Sequence, residues 1–283
     1  MKFSGRKSNP TLHYLNPLST FKNLWKYRDL IVLLTQRSIL LRYKGTLLGF
    51  FWMIATPILM LAVYLFVSVY IFKAQWSGAE FANPRAARAL IMFCGITIFN
   101  ISSETIHTSI SSVAGNPNYV KKTIFPLEIL PFVSTASIFF FGSIWALIIL
   151  TCILIFVKQL CITVILCPLL FVIFFLLCSG ISWFLASAGV YVRDTVHVTG
   201  ILTQLLFFVT PICYNIKMVP ERFRAFIYLN PLTVLISSTQ NVLFWDRWPD
   251  WTLLGLIGLA SLIIFQGGYY FFMKTKGWFA DVL

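Results

Sequence analysis

The chain has 283 residues, of which 59% are apolar and only 11% charged, with a mean hydropathy of +0.84 and a net charge of +13. Soluble domains carry about 25% charged residues, so the shortage excludes an ordinary soluble fold and points to an integral membrane protein. The positive residues flank apolar runs instead of forming one stripe, which argues for topogenic charge and against a nucleic-acid partner.

Residues 1–46 carry nine Lys/Arg against one acid, Asp29. The first part, to about residue 19, is polar and holds Pro10 and Pro17. Residues 20–42 read as a helix, with Phe21, Leu24, Trp25, Val32 and Ile39 on one face and Lys22, Lys26, Asp29, Gln36 and Arg37 gathered opposite. A basic amphipathic helix just before a span lies in the membrane interface; the alternative is a plain cytosolic extension of the first span. The basic part is too long, and the next apolar run too extended, for a cleavable signal.

Twenty-six uncharged residues, 47–72, then form the first span, since a crossing takes about 20 predominantly apolar residues. Pro57 removes a backbone donor within it and predicts a kink. Gly45 and Gly49 fit a close-packing pattern at its edge. A loop over 73–88 leads to a second span at about 89–114, whose latter half places Asn100, Glu104, His107 and Ser111 on one helical face. A carboxylate inside a span costs about 2.5–3.5 kcal/mol, so Glu104 is expected to face protein or water. It reads either as part of a pathway or as a satisfied interhelical contact.

The connection over residues 116–128 is charged and punctuated by proline, with a two-turn helix expected over Tyr119–Phe125 and closed by Pro126. Spans three and four follow at about 132–157 and 161–190, joined by Lys158-Gln159, and the fourth is long enough to tilt or to break at Pro168 and Gly180. A fifth is expected at about 196–214. Residues 215–250 are too polar and too interrupted to cross and read as re-entrant or interfacial periplasmic helices, with Trp245, Trp248 and Trp251 at headgroup level. The sixth span covers about 252–273. The expected fold is therefore all-α and integral to the membrane: six transmembrane helices behind an N-terminal interface helix. Six spans put both termini on one side. That side carries 14 Lys/Arg against eight on the other, so both termini are expected to be cytosolic.

The chain holds no Gly-Lys dipeptide, which excludes a P-loop, and neither H-E-x-x-H nor G-x-S-x-G occurs. His13, His107 and His197 are far apart, no C-x-x-C exists among six cysteines, and nine acids form no paired cluster. The sequence thus supports no metal site, disulfide frame or catalytic centre. Whatever passes through this protein must be driven from elsewhere.

Arg42-Tyr43-Lys44-Gly45-Thr46-Leu47-Leu48-Gly49, with Trp52 and Pro57, resembles the segment opening the first span of ABC-2-type polysaccharide export permeases. Val120-Lys121-Lys122 and Phe125-Pro126-Leu127-Glu128-Ile129-Leu130-Pro131 look like their first cytosolic connection. Val192-Arg193-Asp194, Thr210-Pro211-Ile212, Tyr214, Pro220 and Asn230-Pro231 are similar to further landmarks in the same order. One departure is Ser237-Ser238-Thr239-Gln240, where such permeases often carry an Arg.

The resemblance implies a homodimeric permease of the bacterial inner membrane, served by two copies of a separate ATPase that binds ATP and Mg, with no cofactor in this chain. It implies export of an O-antigen-type polysaccharide on undecaprenyl diphosphate. Capsule or teichoic acid export is a near relative, followed by drug or lipid efflux and, from another class, a membrane glycosyl- or phosphotransferase. It further implies that Asn118, Tyr119, Lys121, Lys122 and Phe125 form a coupling element docking in the ATPase, with Trp25, Arg42, Tyr43 and Lys44 on the interface helix and seam. Spans one and five would border the channel, where aromatic side chains suit a sliding glycan; Phe51, Tyr64, Phe66, Tyr70, Phe207 and Phe208 are candidates, with Glu104.

Overall fold

Prolines and side-chain caps fix where the main helices begin. Asn83 accepts a hydrogen bond from the Ala86 N–H at 3.3 Å ahead of Pro84, Asn230 one from the Leu232 N–H at 3.0 Å ahead of Pro231, and Asp250 one from the Thr252 N–H at 3.0 Å. The computed structural model describes residues 17–67, 81, 83–121, 125–158, 161–192, 194–212, 214, 216 and 219–282. In chain order these form α1 (Pro17–Lys26), α2 (Arg28–Tyr43), α3 (Trp52–Phe66), α4 (Pro84–Ala114), α5 (Pro117–Val120) and α6 (Ile129–Cys152). After these come α7 (Cys167–Tyr191), α8 (Thr195–Val209), α9 (Glu221–Tyr228), α10 (Pro231–Phe244), α11 (Trp251–Thr275) and α12 (Phe279–Val282). No strand occurs among the described residues.

Among the described residues, five helical stretches have the length and apolarity to cross a membrane: Gly49–Phe66, Pro84–Ala114, Ile129–Val157, Ile162–Tyr191 and Trp251–Val282. The chain is a multi-pass membrane protein. α4 is the most enclosed of the five and α3 the least, touching the bundle chiefly through buried Pro57 and through Tyr64, which packs on Phe93. α7 and α11 approach most closely: a Cβ on Gly180 or Gly268 would overlap the backbone of the other helix.

The bundle has two ends. At the basal end, α1 and the end of α7 pack on the C-terminal part of α11. Thr20 donates to Gln266 at 3.1 Å, Asn23 to the Tyr269 hydroxyl at 2.7 Å, and Tyr191 to the Thr275 carbonyl at 2.9 Å. At the distal end the Thr163 hydroxyl donates to the Val242 carbonyl at 2.7 Å, and Phe244 packs with Ala87, Leu90 and Val157.

The fifth expected span differs most from its expectation. Thr210 is extended because the following Pro211 disfavours the helical region, so α8 stops at Val209. Its 15 residues reach only about 22 Å at 1.5 Å each, short of the roughly 30 Å hydrocarbon layer. α8 climbs along α4, Thr203 beside His107 and Phe207 against Phe99. α10 then continues in the same direction: Ile236 and Gln240 lie over Gly95, Gln240 donates to the Ile91 carbonyl at 3.1 Å, and Phe244 joins the buried cluster that holds Ala87 and Leu90. The joint is the Asn230 amide donating to the Thr210 hydroxyl at 2.8 Å. α10 thus prolongs the path of α8 and is largely buried, whereas α9 is mostly exposed.

Other expectations are corrected more locally. The predicted helix over 20–42 is two helices broken at Tyr27, so its single apolar face does not hold: Leu24 and Ile31 are buried while Phe21, Trp25 and Val32 are exposed. Gly45 and Gly49 take positive φ (+88° and +51°) with open space around them, so they shape the α2–α3 turn instead of packing helices. α4 starts at Pro84, inside the expected loop, and α7 runs unbroken through Gly180 with Pro168 in its first turn. In the 116–128 connection the described helix is one turn, Pro117–Val120, and residues 122–124 of the helix expected over Tyr119–Phe125 lie outside the described residues. The lead 1–16, the end of the first span with Tyr70, Lys122 and Arg193 lie outside the described residues.

Candidate functional site

α4 presents a polar face that the bundle leaves open. Asn100, His107 and Ser111 are exposed, and Glu104 is half-buried, on a helix otherwise dominated by buried residues. The sequence spacing identified this face; the structure adds its borders. On one edge, Arg42 at the end of α2 donates to the Glu104 carboxylate at 2.6 Å and lies 4.4 Å above the Phe141 ring of α6. On the other edge, Thr203 of α8 lies 3.3 Å from His107 Nε2. The ion pair removes the need for Glu104 to stand uncompensated in the membrane, and the ring attracts the cation through its negative face.

A cleft of about 400 Å³ opens behind this pair, lined by Tyr43, Trp52, Asn100, Phe141 and Trp145 together with Arg42 and Glu104. Tyr43 meets Phe141 edge-on at 5.6 Å. Arg42 and Tyr43 on the seam and Glu104 on the second span were assigned by sequence to separate regions; the fold brings them together. Lys44 is exposed beside them, and Trp25 lies apart on α1, its ring 5.3 Å from the Arg28 guanidinium. The cleft holds hydrogen-bonding groups among aromatic faces, a surface suited to a hydroxyl-rich ligand.

The other aromatic candidates divide. Phe51, Phe66 and Phe208 are 60%, 56% and 69% exposed, on the outside of the bundle. Tyr64 and Phe207 are partly buried, packed on Phe93 and Phe99 respectively.

At the basal end, the connection that follows α4 is tied down at both sides. Tyr119 stacks on Phe125 at 4.5 Å, Val120 is buried, and Asn118 and Lys121 are exposed. Just beyond, Glu128 is 3% exposed and forms a hub. It takes a bond from Lys276 at 2.8 Å and one from Asn23 at 3.1 Å, while its backbone carbonyl accepts from the Trp183 indole at 2.8 Å. Four separated parts of the chain therefore meet there. Sequence reasoning placed Glu128 in the connection without assigning it a contact; the signal was a lone acid between apolar residues in a chain with nine acids.

Comparison with known proteins adds the family. The profile described as "ABC-2 type transporter" matches residues 29–244. The chain is 25% identical to a protein of Klebsiella pneumoniae named "O-antigen export system permease protein RfbA", across 92% of this chain and 97% of that one. It is equally 25% identical, with the same shares covered, to the Myxococcus xanthus protein of that name.

Proposed function

Because the chain belongs to the ABC-2 type transporter family, whose permeases work with ATPase subunits, we propose that it is the membrane subunit of a polysaccharide exporter. The substrate is an O-antigen-type glycan on undecaprenyl diphosphate, moved from cytosol to periplasm across the bacterial inner membrane. Two copies of this chain form the conduit. Two copies of a separate ATPase, holding ATP and Mg, drive it.

The observation that carries this reading is the likeness to O-antigen export permeases along 92% of the chain. The open polar face of α4 gives it a physical counterpart, since sugar hydroxyls need partners inside a membrane. In this reading α8 and α10 together complete six crossings, so both termini lie on one side, and the excess of Lys/Arg there makes that side the cytosol. That agrees with Asn23 of α1 and Lys276, just past α11, both bonding Glu128 at one end of the bundle. The 116–128 connection at this basal end takes up the ATPase stroke through Asn118, Tyr119, Lys121, Lys122 and Phe125.

Deletion of the gene tests the reading. Finished lipid-linked polymer is expected to accumulate on the cytosolic leaflet. Unaltered surface polymer, or arrest before polymerisation, contradicts it.

A further inference from the structure

α1 is divided lengthwise into three sectors, not two. Thr20 and Leu24 are buried against the bundle. Leu18, Phe21 and Trp25 are 75%, 48% and 70% exposed and form an apolar sector. Between these, Ser19, Lys22, Asn23 and Lys26, spaced three and four apart, line a pocket of about 400 Å³ closed on its far wall by Tyr269 and Met273 of α11. Ligand sites commonly fall within about 300–1,000 Å³.

Among the described residues that line this pocket, the charges are not balanced. Glu128 also lines it, but that carboxylate is buried and already engaged by Lys276 and Asn23. Lys22 and Lys26 are exposed at its mouth, Lys26 with its ammonium 5.3 Å from the Tyr27 ring. An apolar sector immediately beside two lysines fixes the depth of the helix: Leu18 and Trp25 among acyl chains, Phe21 at the seam where it stacks on Phe265, ammonium groups at the phosphate level.

We propose that this pocket is a binding site for a lipid-borne phosphate, seated between α1 and α11 with Lys22 and Lys26 as its cationic ligands. Two lipids carry that chemistry: an anionic phospholipid of the bilayer and a polyprenyl diphosphate. The site requires only that the chain sits in a membrane, so it stands or falls independently of the glycan exported. Because the pocket shares Asn23 and Tyr269 with the Glu128 hub, an occupied site braces α1 on the same contacts that hold the basal connection.

The test is native mass spectrometry of the full-length purified protein titrated with phosphatidylglycerol, phosphatidylcholine or a polyprenyl diphosphate. At least one phosphate-bearing anionic lipid is expected to bind about tenfold tighter than phosphatidylcholine, and that preference is lost in the Lys22→Gln/Lys26→Gln double variant and kept in Lys22→Arg/Lys26→Arg. Competition at equal concentration assigns the source: displacement of phosphatidylglycerol by the diphosphate marks a carrier site, and persistence marks a bilayer-lipid site. Should the double variant fail to fold, each single Lys→Gln change at these exposed positions gives the same reading. Equal retention of phosphatidylcholine, or an anionic preference surviving removal of both charges, overturns the proposal.

Discussion

The Arg42 guanidinium lies 2.6 Å from the Glu104 carboxylate across 62 residues of sequence, joining the end of α2 to the polar face of α4. Both side chains remain more than a third exposed, so the pair is wet and contributes less than a buried one. Its position matters more than its strength, because it borders the cleft that holds Asn100 and Trp52.

Arg42→Ala and Glu104→Gln are therefore expected to lower thermal stability by less than about 1 kcal/mol each while reducing export several-fold. The exchange Arg42→Glu/Glu104→Arg is expected to recover part of the loss. Export measured as surface polymer, read against melting in detergent, separates the two effects. Equal losses of stability and export assign the pair a structural role alone.

The Glu128–Lys276 pair should behave asymmetrically. Lys276→Met strands a carboxylate whose side chain is 4% exposed, a change that costs about 3–5 kcal/mol in buried pairs. Glu128→Gln leaves Lys276, 31% exposed, free to rehydrate, and should cost less. The double variant is expected to unfold at a higher temperature than Lys276→Met alone. Thermal unfolding of the four proteins checks the order.

Adjacent glycines provide a sharper contrast. A Cβ at Gly268 meets the Gly180 backbone, whereas one at Gly267 meets nothing within 4 Å. Gly268→Ala should abolish the folded protein or lower its yield severely; Gly267→Ala should leave size-exclusion profile and yield unchanged.

The basal connection is expected to transmit ATPase movement. Reversing Lys121 and Lys122 to Glu should leave ATP hydrolysis by the assembled complex within about twofold but reduce export at least tenfold, as loss of a docking charge pair does. Hydrolysis and export falling together indicate failed assembly.

The long apolar runs made most of this fold legible. Runs of 20 or more uncharged residues have few alternatives to a membrane helix, and five of the six expected spans correspond to described helices long enough to cross. The region from Thr195 to Phe244 was harder, because hydropathy cannot tell one continuous crossing from two short helices laid end to end. Contacts such as those of Phe207 with Phe99 and of Gln240 with Ile91 reveal that arrangement. The polar face of α4 was readable from 4-3-4 spacing, since helical periodicity is local. Its partner Arg42 was not, because pairing across 62 residues leaves no trace in either segment. The same holds for Glu128, whose partners Asn23 and Lys276 sit near opposite ends of the chain.

Reconstitution addresses the central claim most directly: this chain and its partner ATPase in sealed proteoliposomes, with lipid-linked polymer in the outer leaflet and ATP outside. Movement of polymer to the lumen only when ATPase, ATP and Mg are all present, and its several-fold reduction in the Arg42 and Glu104 single variants, is the expected result. ATP hydrolysis or polymer movement by this chain alone would contradict the account.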